Sequence, residues 1–100
     1  MSTVSFAQSA ETDLLEAWTF IAEQSFEAAD HVLDVIEQEA QTLALQPLMG
    51  RARPELAEGI RCWPTSSSYN LYYLPIASGG ITVVRVLHHA RDVQSRNFLI

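Results

Sequence analysis

The spacing of apolar residues changes period once along this chain, between Pro47 and Gly59, and that change limits the folds open to it. Before the break, Leu14, Leu15, Trp18, Ile21 and Ala22, and then Ala29, Val32, Leu33, Ile36, Ala40 and Leu43, recur at three and four residues, the mark of amphipathic helices. After it come Ile60-Arg61-Cys62-Trp63, Tyr69-Asn70-Leu71-Tyr72-Tyr73-Leu74 and Ile81-Thr82-Val83-Val84-Arg85-Val86-Leu87, short β-branched or aromatic runs suited to strands. Helical and extended segments are thus segregated rather than alternating, which favours an α+β arrangement over a parallel α/β sheet.

Local signals set the boundaries. Val4 and Phe6 alternate within Thr3–Ala7 and predict a short first strand. Ser9 is placed to cap a helix running to about Gln24, and Ser25 to cap a second one that Pro47 and Gly50 stop. Helices joined this closely pack as an antiparallel hairpin. Residues 47–59, with two prolines and two glycines, are expected to form a crossing loop, and Thr65–Ser68 and Ser78-Gly79-Gly80 to form turns. The expected order is β-α-α-β-β-β: a two-layer α+β domain spanning residues 1–100, with the helical hairpin packed on one face of a small, mainly antiparallel sheet. Ile81–Leu87 reads as the most buried, central strand, with the first strand free to pair at an edge. The other sheet face is expected to stay open. Arg61 and Trp63 share one side of their strand, and Val83, Arg85 and Leu87 one side of theirs, so two guanidinium groups are expected on that open face.

Charge divides along the same line. Residues 1–50 hold nine carboxylates and no arginine, a net −9; residues 51–100 hold six arginines and three carboxylates, a net +3, for −6 overall. Lysine is absent, so the fixed positive charge is all guanidinium, which favours bidentate recognition of carboxylate or phosphate over a diffuse cationic field. Glu16, Glu23, Asp30, Asp34 and Glu37 are expected on the solvated faces of the helices. The N-terminal residues lack the basic flank and apolar run of a signal peptide, and no window nears about 18 uninterrupted apolar residues, so a cytosolic chain with no membrane segment is expected. The single cysteine, Cys62, has no partner for an internal disulfide and reads as a packing residue. No cofactor is implied. His88 and His89 have no cysteine or third histidine nearby in sequence, so no metal site is expected.

Several segments, in order, resemble the RelE/ParE superfamily of bacterial toxins and its ParE branch in particular. They are Ala10-Glu11-Thr12-Asp13-Leu14-Leu15-Glu16-Ala17-Trp18 followed by Phe20-Ile21-Ala22, Leu45-Gln46-Pro47-Leu48-Met49-Gly50-Arg51, Glu55-Leu56 to Gly59-Ile60-Arg61, and Tyr72-Tyr73. Above all there is Arg85-Val86-Leu87-His88-His89-Ala90-Arg91-Asp92, similar to that family's Arg-Val-Leu-His-x-x-Arg-Asp ending. The resemblance implies the toxin of a type II toxin–antitoxin system, neutralised by an antitoxin from an adjacent gene in a hetero-oligomer, with DNA gyrase as target and without catalysis or direct nucleic-acid readout. The RelE branch implies instead a ribosome-dependent mRNA endonuclease. In that alternative Arg61 and Arg85 would stabilise phosphate and His88 would donate a proton, although the lysines such enzymes use are absent. A third alternative is a non-toxic plasmid-stabilisation module.

The partner-binding candidates are Trp18, Arg61, Trp63, Tyr73, Arg85, His88 and Arg91. Trp18 can line core or groove, and Trp63 and Tyr73 can fill the core or stack on a partner. Arg85 has two equal readings: a partner contact, or a structural ion pair with Asp92 or a helical carboxylate. Arg91 with Asp92 is read first as fixing the C-terminal turn.

Overall fold

The computed structural model describes residues 3–98; Met1 and Ser2, the start of the N-terminus read above for targeting, lie outside it. Strand β1 (Val4–Phe6) leads into helices α1 (Gln8–Ala22) and α2 (Phe26–Leu45). Strands β2 (Arg51–Ala52), β3 (Arg61–Pro64), β4 (Tyr69–Pro75) and β5 (Ile81–His88) follow, and a 3-10 turn, Ser95–Phe98, ends the described chain. The five strands form one sheet in the order β1-β5-β4-β3-β2. β1 runs parallel to β5, and every other pair is antiparallel. The α+β, two-layer reading therefore holds. The crossing loop adds the two-residue strand β2, and the central place belongs to β4, with β5 beside it.

The helix starts differ from each other in their chemistry. Ser25 caps α2, its hydroxyl accepting from the Ala28 N–H at 3.1 Å. α1 begins two residues earlier than its cap signal suggests, with Ala7 at the cap position, and Ser9 lies inside the helix, its hydroxyl donating to the Val84 carbonyl at 2.8 Å. That bond belongs to a larger device. β1 ends at Phe6, so the edge of β5 beyond Val83 has no strand beside it. The first turns of α1 replace the strand. Ala7 N–H donates to Val83 O, Ser9 to Val84 O, and the Asp13 carboxylate accepts from Val86 N–H at 2.9 Å. Edge backbone groups that would otherwise lie buried and unpaired are satisfied.

α1 presents a narrow alanine stripe to the core, with Ala10 and Ala17 buried and Leu14 and Ile21 half-buried. Leu15, expected on that stripe, points to solvent instead. α2 contributes Ile36, Ala40, Leu43 and Ala44, and together they cover Leu71, Tyr73, Ile81, Val83 and Val86 of the sheet.

The opposite sheet face is not open. A second cluster covers it, in which Leu56 and Ile60 from the β2–β3 loop and Phe98 from the C-terminal turn pack on Cys62, Tyr72 and Leu87. Phe98 meets Tyr72 edge-on, with ring centroids 5.3 Å apart. Burial pushes the Cys62 thiol up from its ordinary value, so it stays protonated as a packing group. The expectation failed because the loop carries apolar residues in a stretch whose prolines and glycines hide any period.

The arginine placement fails for a related reason. Tyr72 pairs with Arg85 but Tyr73 pairs with Val83, so Val84 is an extra residue on β5, a β-bulge. Alternation slips there. Val83 joins the helix-side core and Leu87 the second cluster, which separates residues that a regular strand would place on one side. Arg61 and Trp63 do share a side, but it is the side that faces the helices: Trp63 packs against the helix-side core.

Candidate interaction surfaces

Arg85 stands at the uncovered stretch of the β5 edge, between α1 and the C-terminal turn. Its Nε and Nη2 donate to Oδ2 and Oδ1 of Asp13 at 2.7 and 2.9 Å, and its Nη1 to Asn97 O at 2.7 Å. The Asp13 side chain is almost wholly buried and that of Arg85 about four-fifths so. Donation to the Asp13 carboxylate outweighs the opposing effect of burial and raises the affinity of Arg85 for its proton. Of the two readings open in the sequence, the geometry is that of a structural ion pair, made with a helical carboxylate rather than with Asp92.

Tyr73 and Arg61 act on one loop. Tyr73 is fully buried; its hydroxyl donates to Pro47 O at 2.8 Å and accepts from Gly50 N–H at 2.9 Å. Arg61 donates from Nε to Gly50 O at 2.8 Å and from Nη2 to Leu48 O at 3.1 Å. Gly50 is required there, since a Cβ would lie 2.8 Å from Tyr73 Cε1 and 2.9 Å from Cys62 O. Tyr73, a candidate contact on sequence, has no surface to offer a partner. Trp63 is also engaged internally. Its Nε1–H donates to Glu39 Oε1 at 2.8 Å, while Ser66 donates to Oε2 from both backbone and hydroxyl. Burial alone would raise Glu39, but those hydrogen bonds outweigh it and hold the carboxyl below its ordinary value of 4.5.

Trp18 is half-buried near the connected end of the helical hairpin, where α1 passes into α2. Its Nε1–H donates to Asp30 Oδ1 at 2.9 Å and its ring stacks on Phe26 at 5.7 Å. Phe26 and Leu15 are large apolar side chains left exposed near it, and Phe20 is exposed on another face of α1. Beside them, Phe6, Leu14, Leu33 and Ile36 line a mainly apolar groove of about 150 Å³ between the hairpin and β1.

His88 and Arg91 share a separate cleft of about 160 Å³ with Asp13, Glu16, Ala17, Tyr69, Val86 and Leu87. His88 stacks on His89 with centroids 4.5 Å apart, and its Nδ1 accepts from Ala90 N–H at 3.1 Å. Among the described residues, no three His, Cys, Asp or Glu side chains converge as a metal would require.

The candidates thus fall into separate groups. His88 lies opposite Tyr69 and Arg61 opposite Tyr73, so they are about 13 Å apart along β4 alone, at 3.3 Å per residue, and two strands apart across the sheet. Arg61, Arg85 and His88 do not assemble into one site. The sequence reading missed the exposed apolar residues, among them Leu15, Phe20, Phe26, Leu45 and Leu48. The available signal was the Ala10, Asp13, Ala17 spacing, which fixes the buried face of α1 and turns Leu15 and Phe20 away from it.

Against this geometry, residues 4–93 match the family model described as the ParE toxin of the type II toxin–antitoxin system, parDE. The chain belongs to the ParE toxin family. A solved structure from the chromosomal ParDE toxin–antitoxin system of P. aeruginosa shares the fold, with a TM-score of 0.72 at 17% identity, over 88% of this chain and 96% of that one. No curated protein sequence matches this one. As a ParE-family toxin, the chain carries the Arg85–Asp92 ending at the edge of its sheet. Two of that segment's basic side chains have distinct surroundings: Arg85 is locked on Asp13, and Arg91 is exposed in the cleft beside His88. None of the described helices is long and apolar enough to cross a membrane.

Proposed function

We propose that this ParE-family toxin acts by binding, inhibiting DNA gyrase without catalysis of its own, and is neutralised by an antitoxin encoded beside it. The family match across residues 4–93 carries the reading. The side-chain geometry supports binding over RNA cleavage, because Arg61 and Arg85 direct their donors to Gly50, Leu48, Asp13 and Asn97 within the protein. A phosphoryl transition state needs free donors converging on one point.

The antitoxin is assigned the helical hairpin. The groove of Phe6, Leu14, Leu33 and Ile36 can take an apolar side chain of a folding segment, with exposed Leu15 and Phe26 nearby on the hairpin. Glu37, which lines the groove, and Asp30, beside Trp18, favour basic residues on that segment. Purified toxin should inhibit gyrase supercoiling and leave ribosome-bound mRNA intact, with the antitoxin restoring supercoiling at equimolar ratio. Full gyrase activity in excess toxin refutes the target; codon-linked mRNA cuts after induction refute the non-enzymatic reading.

A further inference from the structure

We infer that the loop from Leu45 to Gly50 is a preorganised docking knuckle, and that its occupant is an apolar pocket rimmed by carboxylates on the toxin's target rather than on the antitoxin. Leu45 is 73% exposed, Leu48 73% and Met49 37%, all from one turn at the end of α2. Leaving a leucine in water forgoes the transfer free energy that burial would supply, so two such residues in one turn call for an explanation.

The backbone beneath them is not a loose loop. Gln46 N–H donates to Thr42 O and Leu43 O, and Met49 N–H to Gln46 O. The buried Tyr73 hydroxyl holds Pro47 O and Gly50 N–H, and Arg61 holds Leu48 O and Gly50 O. Two core side chains therefore fix a turn whose outward side chains touch little of their own protein. A rigid backbone bearing exposed apolar tips loses little entropy on binding, the property of an interface anchor.

Charge selects the partner. Arg51 follows at once on the exposed edge strand β2, and Arg53 lies beyond it, its guanidinium shared with Glu55. The first apolar surface, at the hairpin end, sits among carboxylates; this one sits beside guanidinium groups. Along α2, at 1.5 Å per residue, Phe26 of the first surface lies about 28 Å from Leu45 and Ile36 of its groove about 14 Å. Two surfaces of opposite polarity that far apart suit two different partners, and the basic one suits an acidic pocket. This assignment rests on the reading of the chain as a two-partner toxin.

The test is Leu48→Asp in the full chain, with Arg51→Glu as a second variant and Phe26→Asp as the control at the other surface. Leu48 and Arg51 are exposed, and the loop's hydrogen bonds from Tyr73 and Arg61 use backbone atoms, so unchanged urea midpoints are expected. Growth arrest on expression reads the target whatever its identity, and titration with purified antitoxin reads the other surface. Leu48→Asp should abolish growth arrest and weaken gyrase binding by about 30-fold or more, a hot-spot loss, with antitoxin affinity kept. Arg51→Glu should lower the association rate and its salt dependence, and Phe26→Asp should weaken the antitoxin alone. Full toxicity of Leu48→Asp overturns the proposal. Loss of antitoxin binding assigns the knuckle to the antitoxin and also overturns it, as does a wild-type dimer that Leu48→Asp turns into monomer. Wild-type toxicity with unaffected gyrase would retire the gyrase reading alone, with growth arrest still reading the loop.

Discussion

Asp13 is the residue on which most of the local structure converges. It is a carboxylate buried in the first half of α1, where a helix this close to a sheet would ordinarily place an apolar side chain. It accepts two bonds from Arg85 and one from the Val86 N–H, so its replacement strands both a guanidinium and an edge amide. Breaking a buried pair from one side costs about 3–5 kcal/mol, much of it the unpaired charge left behind. Asp13→Ala and Arg85→Ala should each lower the unfolding free energy by an amount in that range, read by urea titration. In the double variant the losses should be well below additive. Gly50→Ala tests a different constraint, because its methyl group would collide with Tyr73 and the Cys62 carbonyl. Overpacking of this kind costs about 1–3 kcal/mol, and Tyr73→Phe, which leaves Gly50 N–H and Pro47 O unpaired, a similar amount. Circular dichroism melts of the two variants check both values.

At the scale of elements, helix α2 is tied at its start by Ser25 and near its end by Glu39, and these ties respond to different variables. Ser25→Ala should cost about 1 kcal/mol at every pH, as loss of a helix cap does. The Glu39 tie depends on pH. Hydrogen bonds hold its folded-state carboxyl below the ordinary 4.5, so the stabilisation is complete above that value and is lost as pH falls through the lower folded value. A series of urea melts from pH 7 to pH 3 should show wild-type stability falling toward that of Glu39→Gln at the acid end; curves that stay parallel would remove Glu39 as the cause. The elements themselves were legible in the sequence wherever one force dominated. The 3.6-residue period gave both helices, β-branched and aromatic runs gave β3 to β5, and Ser25 gave its cap. What was not legible depended on partners far along the chain. Ser9 reads as a cap in isolation, but Val84 takes its hydroxyl. The bulge at Val84 is invisible in a run of β-branched residues, yet it decides where Arg85 points. Arg61 and Tyr73 read as surface candidates because nothing local shows that a loop more than ten residues away needs their hydrogen bonds.

Over the whole molecule, one sheet separates two apolar clusters of unequal size, and this asymmetry sets how the protein should come apart. The helix-side cluster is built from both helices and strands β4 and β5, with β1 and β3 at its margins, whereas the second is closed by two irregular segments, the β2–β3 loop and the C-terminal turn. Segments with little regular structure open at low free energy, ahead of global unfolding. The C-terminal turn is held by the Phe98 ring on Tyr72 and by Asn97 O on Arg85, so it also completes the ion pair that α1 makes with the sheet edge. Phe98→Ala removes a ring carried by a short 3-10 turn, whose backbone can partly close over the gap. The loss should therefore fall at or below the lower end of the ~3–5 kcal/mol typical of a core phenylalanine. Local opening makes a sharper prediction. In hydrogen exchange the variant should lose protection at Asn97 and along the β2–β3 loop, while Leu71 and Val83 amides in the sheet centre keep protection set by global stability. Uniform loss of protection across both clusters would show instead that the sheet and its two faces form one cooperative unit, with the C-terminal turn as integral to it as the helical hairpin.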